Sequence, residues 1–280
     1  MSDSTDRVRG ADFSLAGRVV VITGGAGLLG TRHAEAIAAA GGTPVIADRR
    51  GGEADAVAAS VATAFGVPTL GVATDVTSET SVRALFDAVM LRFGRVDALV
   101  NNAANNPKVE DGASAFSRLE DFPLEQWTAD LAVGLTGAFL CAKVFGTAMA
   151  AQGHGVIVNI SSEYGIIAPD QRLYAVEGMP ENQQPKKPVS YTPVKAGLHG
   201  LTLYLATYWA DRGVRANTIT LGGVENGQPA EFLARAAQRI PMARMAQPTD
   251  FQGALVWLCS DASSFVNGAN VVVDGGKSVW

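Results

Sequence analysis

The stretch VVVITGGAGLLG, residues 19 to 30, decides the fold. Its first half, Val19 to Thr23, is an unbroken β-branched run, the mark of a strand buried on both faces. Its second half, Gly25-Ala26-Gly27-Leu28-Leu29-Gly30, fits the spacing G-x-G-x-x-G, and the following TRHAEAIAAAG has helical character. Strand, glycine turn and helix together give that spacing a physical meaning. Glycines permit a tight turn and let the backbone approach a pyrophosphate, while the helix N-terminus adds free N–H groups and the positive end of its dipole. Gly24, Gly25, Gly27, Leu28, Leu29 and Gly30 are therefore candidate contacts to a dinucleotide. The next apolar run, TPVIAD, ends at Asp48, eighteen residues past Gly30. A carboxylate there can bond the ribose hydroxyls of NAD and repel the extra phosphate of NADP. Arg49 and Arg50 could accept that phosphate, but Asp48 stands at the strand end itself, so NAD is expected over NADP.

Outward from this unit, apolar runs keep alternating with helical patterns. The runs are TLGVATD, DALVNN, GVIVNIS, VRANTIT and ANVVVDGG. Between them lie EADAVAASVATAF, SETSVRALFDAVMLRFG, a segment around Ser190 to Asp211 and another near Asp250 to Ser260. Parallel strands need crossovers, so the alternation predicts about seven strands in one doubly wound α/β sheet with helices on both faces. No repeat or linker interrupts it, so residues 13–280 are expected to form one domain behind a loose tail at 1–12. Residues 163–190 are the irregular stretch, polar and without a clear period, and loops of that length are usually functional or disordered.

Composition narrows the function. At 280 residues and 48% hydrophobic the chain can bury a full core, and a net charge of -5 without a basic cluster argues against nucleic acid. Cys141 and Cys259 lie far apart in apolar segments and read as reduced core thiols. LAVGLTGAFLCAKVFGTAMAA is interrupted by Lys143 and three glycines and reads as a buried helix, with no membrane expected. The polar N-terminus lacks a signal-peptide core, so a cytoplasmic protein is expected. His33, His154 and His199 are too scattered for a metal site, and no catalytic metal is expected.

The second chemical feature is VSYTPVKAG, which puts Tyr191 and Lys195 four apart on one helix face. The preceding strand, GVIVNISS, brings Ser161 and Ser162 to the carboxyl edge of the sheet, where α/β ligands bind. A phenol ionises near pH 10 unaided, but an adjacent ammonium favours the phenolate, so Tyr191 could exchange a proton with an alcohol or carbonyl. Tyr164 is a rival acid but has no lysine at i+4.

These pieces, with Asp75-Val76, NNAA at 101 to 104, VRANTITLGG and the closing VVVDGG, resemble the short-chain dehydrogenase/reductase family from about Ala16 to Gly276. The resemblance implies a single Rossmann-type domain that moves a hydride between a nicotinamide and a secondary alcohol or ketone. It implies Tyr191 as acid/base, Lys195 on the nicotinamide ribose, and Ser162 orienting the reacting oxygen. It places Asp75 and Val76 beside the adenine, Asn102, Ala103 and Ala104 by the adenosine ribose, and Val224 near the carboxamide, with Gly222 among the cofactor contacts. It further implies a homodimer or homotetramer, joined through the apolar helices around Leu131 to Ala151 and Tyr191 to Trp209.

The chain departs from the family pattern in three places. Its fingerprint reads TGxxGxxG, with Leu28 where the compact branch has glycine; this spacing resembles nucleotide-sugar epimerases and dehydratases. Gly134 stands where the family usually has an asparagine that holds a water behind the lysine, so either another group or an added water completes the relay, or the chain is a cofactor-binding sensor. Ser162 and Tyr191 are 29 residues apart, about twice the family's usual separation. The inserted Glu163, Asp170, Gln171, Arg172, Lys186 and Lys187, with Asn105, Asn106 and Lys108, suit a polyhydroxylated or anionic small molecule. The expected substrate is therefore sugar- or polyol-like.

Overall fold

The computed structural model describes residues 11–105 and 117–280. Asn106, Lys108 and most of the expected tail lie outside the described residues. Among the described residues, seven strands form one parallel sheet: β1 (Val19–Thr23), β2 (Thr43–Asp48), β3 (Leu70–Ala73), β4 (Ala98–Asn101), β5 (Gly155–Ser162), β6 (Val214–Leu221) and β7 (Asn270–Val273). Their order across the sheet is β3-β2-β1-β4-β5-β6-β7. The chain winds outward in one direction from β1 and then in the other from β4. The crevice where the order reverses, above the carboxyl ends of β1 and β4, is where doubly wound sheets bind ligands.

Successive side chains of a strand face opposite sides, and β1 shows the consequence. Val19 and Val21 enter one core with Phe145 and Met149, while Val20 and Ile22 enter the other with Ile37, Ile46 and Phe251. Burial on both faces explains why the strand reads as a continuous apolar run. Crossover helices cover the sheet: α1 (Leu28–Ala39), α2 (Gly51–Phe65) and α3 (Glu79–Phe93) in the first half. In α3, the Ser78 hydroxyl accepts from Ser81 N–H at the start and Gly94 closes the end with φ of 70°, a left-handed turn that suits glycine.

The second half is carried by α4 (Leu124–Gln152), α5 (Tyr191–Tyr208), α6 (Ala230–Ala237) and α7 (Gln252–Cys259). α4 is long and apolar enough to cross a membrane by length and composition, yet half of its most apolar window is buried in the fold. Cys141, Phe145 and Met149, one turn apart, form its inward stripe. Two π-turns, Ala132–Thr136 and Ala142–Gly146, adjust the register of that stripe. On the outer side of α4 and α5, Phe139, Leu203, Tyr204 and Tyr208 are exposed.

Residues 163–190 contain three short 3-10 turns, at Glu163–Gly165, Gln171–Tyr174 and Glu181–Gln183. Leu173 and Tyr174 pack with Phe232, Ala236, Ile240 and Met245 into a third, small core. The insertion is thus fastened to α6, an element the sequence reading left out.

Candidate functional site

A cavity of about 810 Å³ opens over the carboxyl ends of the strands, within the size range of small-molecule and cofactor sites. One end is the glycine turn. Gly24 has a φ of 61°, which suits glycine, and a Cβ on Gly30 would lie 2.2 Å from the Gly24 carbonyl oxygen, so α1 can begin this close to β1 only without a side chain there. Thr31 N–H bonds back to Gly27 O, which leaves the N–H groups of Leu28, Leu29 and Gly30 at the helix start, on the cavity wall. α1 has no side-chain cap and no acidic residue in its first turn, so the dipole end is open to an anion. The residues present therefore fit a dinucleotide pyrophosphate. Gly25 is not on this wall: its N–H donates to Ala47 O and its α-carbon packs on Ile46, so it seats the turn on β2.

Asp48, at the end of β2, is on the wall and buried. One carboxylate oxygen accepts from Ala26 N–H at 3.2 Å and the other from the Arg50 backbone and side chain at 3.1 and 3.2 Å. The carboxylate is thus held in place at the lip of the turn, and Arg50 is turned toward Asp48 and Glu53. Asp75, Val76, Ala103, Ala104, Gly222 and Val224 also line the cavity. Asn102 lines it too, but its amide donates to the carbonyls of Thr23 and Gly24, so it braces the glycine turn from β4.

At the other end Ser162, Tyr191 and Lys195 converge on one wall. β5 delivers Ser162 at its carboxyl terminus, and the first turn of α5 carries Tyr191 and Lys195 on one face. Ser162 hydrogen-bonds the Tyr191 phenol, and the buried Lys195 ammonium donates to Ile160 O at 2.9 Å. Ser161, by contrast, donates to Lys195 O and ties β5 to α5. Lys187 Nζ sits 4.0 Å from the centre of the Tyr191 ring and Lys195 Nζ 5.8 Å from it. Burial pushes the Tyr191 phenol up to about 12, opposed by its bond with Ser162. Burial, with the charge of Lys187, pushes Lys195 down to about 8. The rival Tyr164 packs edge-on against Tyr191 at 6.4 Å and reaches the Tyr174 hydroxyl, so it supports the Tyr191 ring.

Of the polar residues expected at a ligand, Glu163, Lys187 and, after β4, Asn105 line the cavity. Asp170 is held by Arg172 and Arg239, which keep its carboxyl far below the usual range. Gln171 accepts from Lys187 N–H, and Lys186 pairs with Glu181. These groups fold the insertion, which corrects the expectation that its polar residues face a ligand together. The walls beside them are instead apolar, from Leu173, Phe232, Ile240 and Met245.

Gly134 is buried where α4 crosses α5, and a Cβ there would lie 2.4 Å from Val194 Cγ1. Val194 thus takes the room that a side chain on Gly134 would need. Beside it lies a void of about 10 Å³ lined by Asn105, Asp130, Ser190, Tyr191, Val194 and Lys195, about the space of one water. The buried Asp130 carboxylate accepts from Ser190, Asn105 and Gln126.

A crevice with a dinucleotide turn at one end and a Ser-Tyr-Lys wall at the other defines a nicotinamide-dependent oxidoreductase. Comparison with known proteins agrees: the family model described as enoyl-(acyl carrier protein) reductase matches residues 25–278. The chain is 35% identical to D-threitol dehydrogenase of Mycolicibacterium smegmatis, over 96% of this chain and 95% of that one. It is 37% identical to cis-4-hydroxycyclohexanecarboxylate dehydrogenase of Sinomonas cyclohexanicum, over 94% and 97%. A gluconate 5-dehydrogenase of Burkholderia cenocepacia, solved with NADP and tartrate, superposes with a TM-score of 0.83 at 30% identity, covering 96% of this chain and 98% of that one. The chain belongs to the short-chain dehydrogenase/reductase family and is an oxidoreductase of alcohol groups.

Proposed function

We propose that this chain oxidises a secondary hydroxyl of a polyol with NAD, and reduces the matching ketone in reverse. The observation that carries the reading is the convergence of Ser162, Tyr191 and Lys195 on one cavity wall, with the α1 N-terminus and Asp48 at its far end. The N–H groups at the start of α1 hold the pyrophosphate, and Asp48 accepts from the adenosine ribose and disfavours a 2′-phosphate. Ser162 donates to the reacting oxygen, and Tyr191 takes the hydroxyl proton. Lys195 bonds the second ribose and lends its charge to the phenolate. A nicotinamide bound here would supply the hydride acceptor and, while oxidised, a positive charge that favours the ionised phenol. A water in the void between Asp130, Ser190 and Lys195 completes the proton path, so Gly134 does not interrupt it. The aromatic and aliphatic side chains exposed on α4 and α5 support pairing of those helices between subunits of a homodimer or homotetramer.

The test is Tyr191→Phe. Turnover of an alcohol is expected to fall roughly 100- to 10,000-fold, the usual contribution of general acid–base catalysis, while NADH affinity by fluorescence titration stays within about twofold. Retained turnover with a phenylalanine in place would refute the assignment.

A further inference from the structure

The cavity holds a second pair of charges apart from the proton-transfer wall. Glu163 directly follows Ser162 at the end of β5, and Lys277 follows β7 near the C-terminus. The Lys277 ammonium bonds Glu163 Oε1 and lies 4.8 Å above the Tyr164 ring. Glu163 is only 2% exposed, and among the described residues its second oxygen, Oε2, has no partner. Both residues line the cavity, and the neighbouring wall is the apolar set Leu173, Phe232, Ile240 and Met245.

Fold stability does not account for this pair. A buried ion pair is commonly no better than well-packed apolar residues, and an unpartnered carboxylate oxygen makes it worse. Nor is the pair needed to fasten the C-terminus, because β7 is paired along β6 and the Asp274 carboxylate accepts from the backbone N–H groups of Gly276 and Ser278. What the pair offers is an acceptor, Oε2, next to an ammonium with three N–H groups, a neutral combination that complements a hydroxyl in both of its hydrogen-bonding roles. A carboxylate would meet Oε2 as a like charge.

We infer that Glu163 and Lys277 hold a second hydroxyl of the substrate, so that this pair selects neutral polyols over simple secondary alcohols and over hydroxy acids. The inference rests on the reading above, in which the reacting hydroxyl lies at Ser162 and Tyr191. The bound hydroxyl donates to Glu163 Oε2 and accepts from Lys277 Nζ. An alcohol without it leaves Glu163 Oε2 buried without a donor, which is how a polar subsite rejects an analogue.

The test compares wild type with the double variant Glu163→Gln/Lys277→Met, which removes both charges together and so avoids a stranded one. Steady-state kinetics are measured with a four-carbon polyol, the matching hydroxy acid and 2-butanol, alongside the melting temperature. For wild type, kcat/KM is expected to be highest for the polyol. In the double variant, KM for the polyol is expected to rise roughly 10- to 100-fold with kcat little changed, while 2-butanol turnover and the melting temperature stay near wild type. Equal losses on the polyol and 2-butanol, or a collapse in melting temperature, would make the pair a structural fastener and overturn the inference. A wild-type enzyme that prefers 2-butanol or the hydroxy acid would overturn it too, while leaving the dehydrogenase reading intact. Silence with every alcohol would overturn both.

Discussion

His33 lies inside α1 with none of its side chain exposed, and neither ring nitrogen has a partner among the described residues. Burial pushes it down to about 4 from an ordinary 6.5, because an imidazolium there would be desolvated without a counter-charge. Its folded value lies below its unfolded one, so the unfolded chain binds the extra proton between those values and stability falls as pH drops from about 6.5 to 4. The loss is about 3 kcal/mol, and above pH 6.5 the penalty vanishes. Denaturant unfolding of wild type and His33→Leu at pH 7.5, 5.5 and 4.5 checks this. The variant is expected to lose less stability on acidification, and parallel pH slopes would contradict it. At this scale the sequence was legible where chemistry depends on local spacing: Tyr191 and Lys195 are one turn apart, and both reach the cavity. Glu163 was singled out as polar, but its pairing with Lys277 was not legible, because the two meet across 114 residues with no spacing to announce them.

Among elements, the crossing of α4 and α5 carries the most specific prediction. Gly134→Asn drives a side chain into Val194, and overpacking of this kind costs about 1–3 kcal/mol. Adding Val194→Ala opens the space, so the double variant is expected to regain most of the lost stability in thermal melts, with kcat no higher than wild type. Additive destabilisation would refute the packing account, and a tenfold gain in kcat would mean that the native chain lacks a complete proton path. The sequence disclosed the missing amide but not Val194, because that contact joins two helices whose residues are far apart in the chain. The strands were readable for a simple reason: buried parallel strands are continuous apolar runs. α6 was not, since the inward face of its eight residues is short, Phe232 and Ala236 with Leu233 beside them, and that face has meaning only once Leu173 and Tyr174 fold against it. The same interdependence explains the inserted segment, whose charged residues looked ready for a ligand but pair mostly with one another.

For the whole molecule, the sheet order brings two independent features, the glycine turn and the Ser162-Tyr191-Lys195 wall, to one cavity. Their common placement follows from topology. The chain leaves the paired strands β1 and β4 in opposite directions across the sheet, which opens the crevice, β5 carries Ser162 to its rim, and the insertion packs on α6 beside it. The TGxxGxxG spacing resembles epimerases, yet nearly the whole chain aligns with nearly the whole of two dehydrogenases. The most direct test of the account is the appearance of nicotinamide absorbance when the purified chain meets a four-carbon polyol with NAD and, in parallel, with NADP. The account predicts steady turnover with kcat/KM at least about tenfold higher for NAD, as the carboxylate at the end of β2 requires. Turnover favouring NADP, or none with either cofactor across linear polyols, would contradict it.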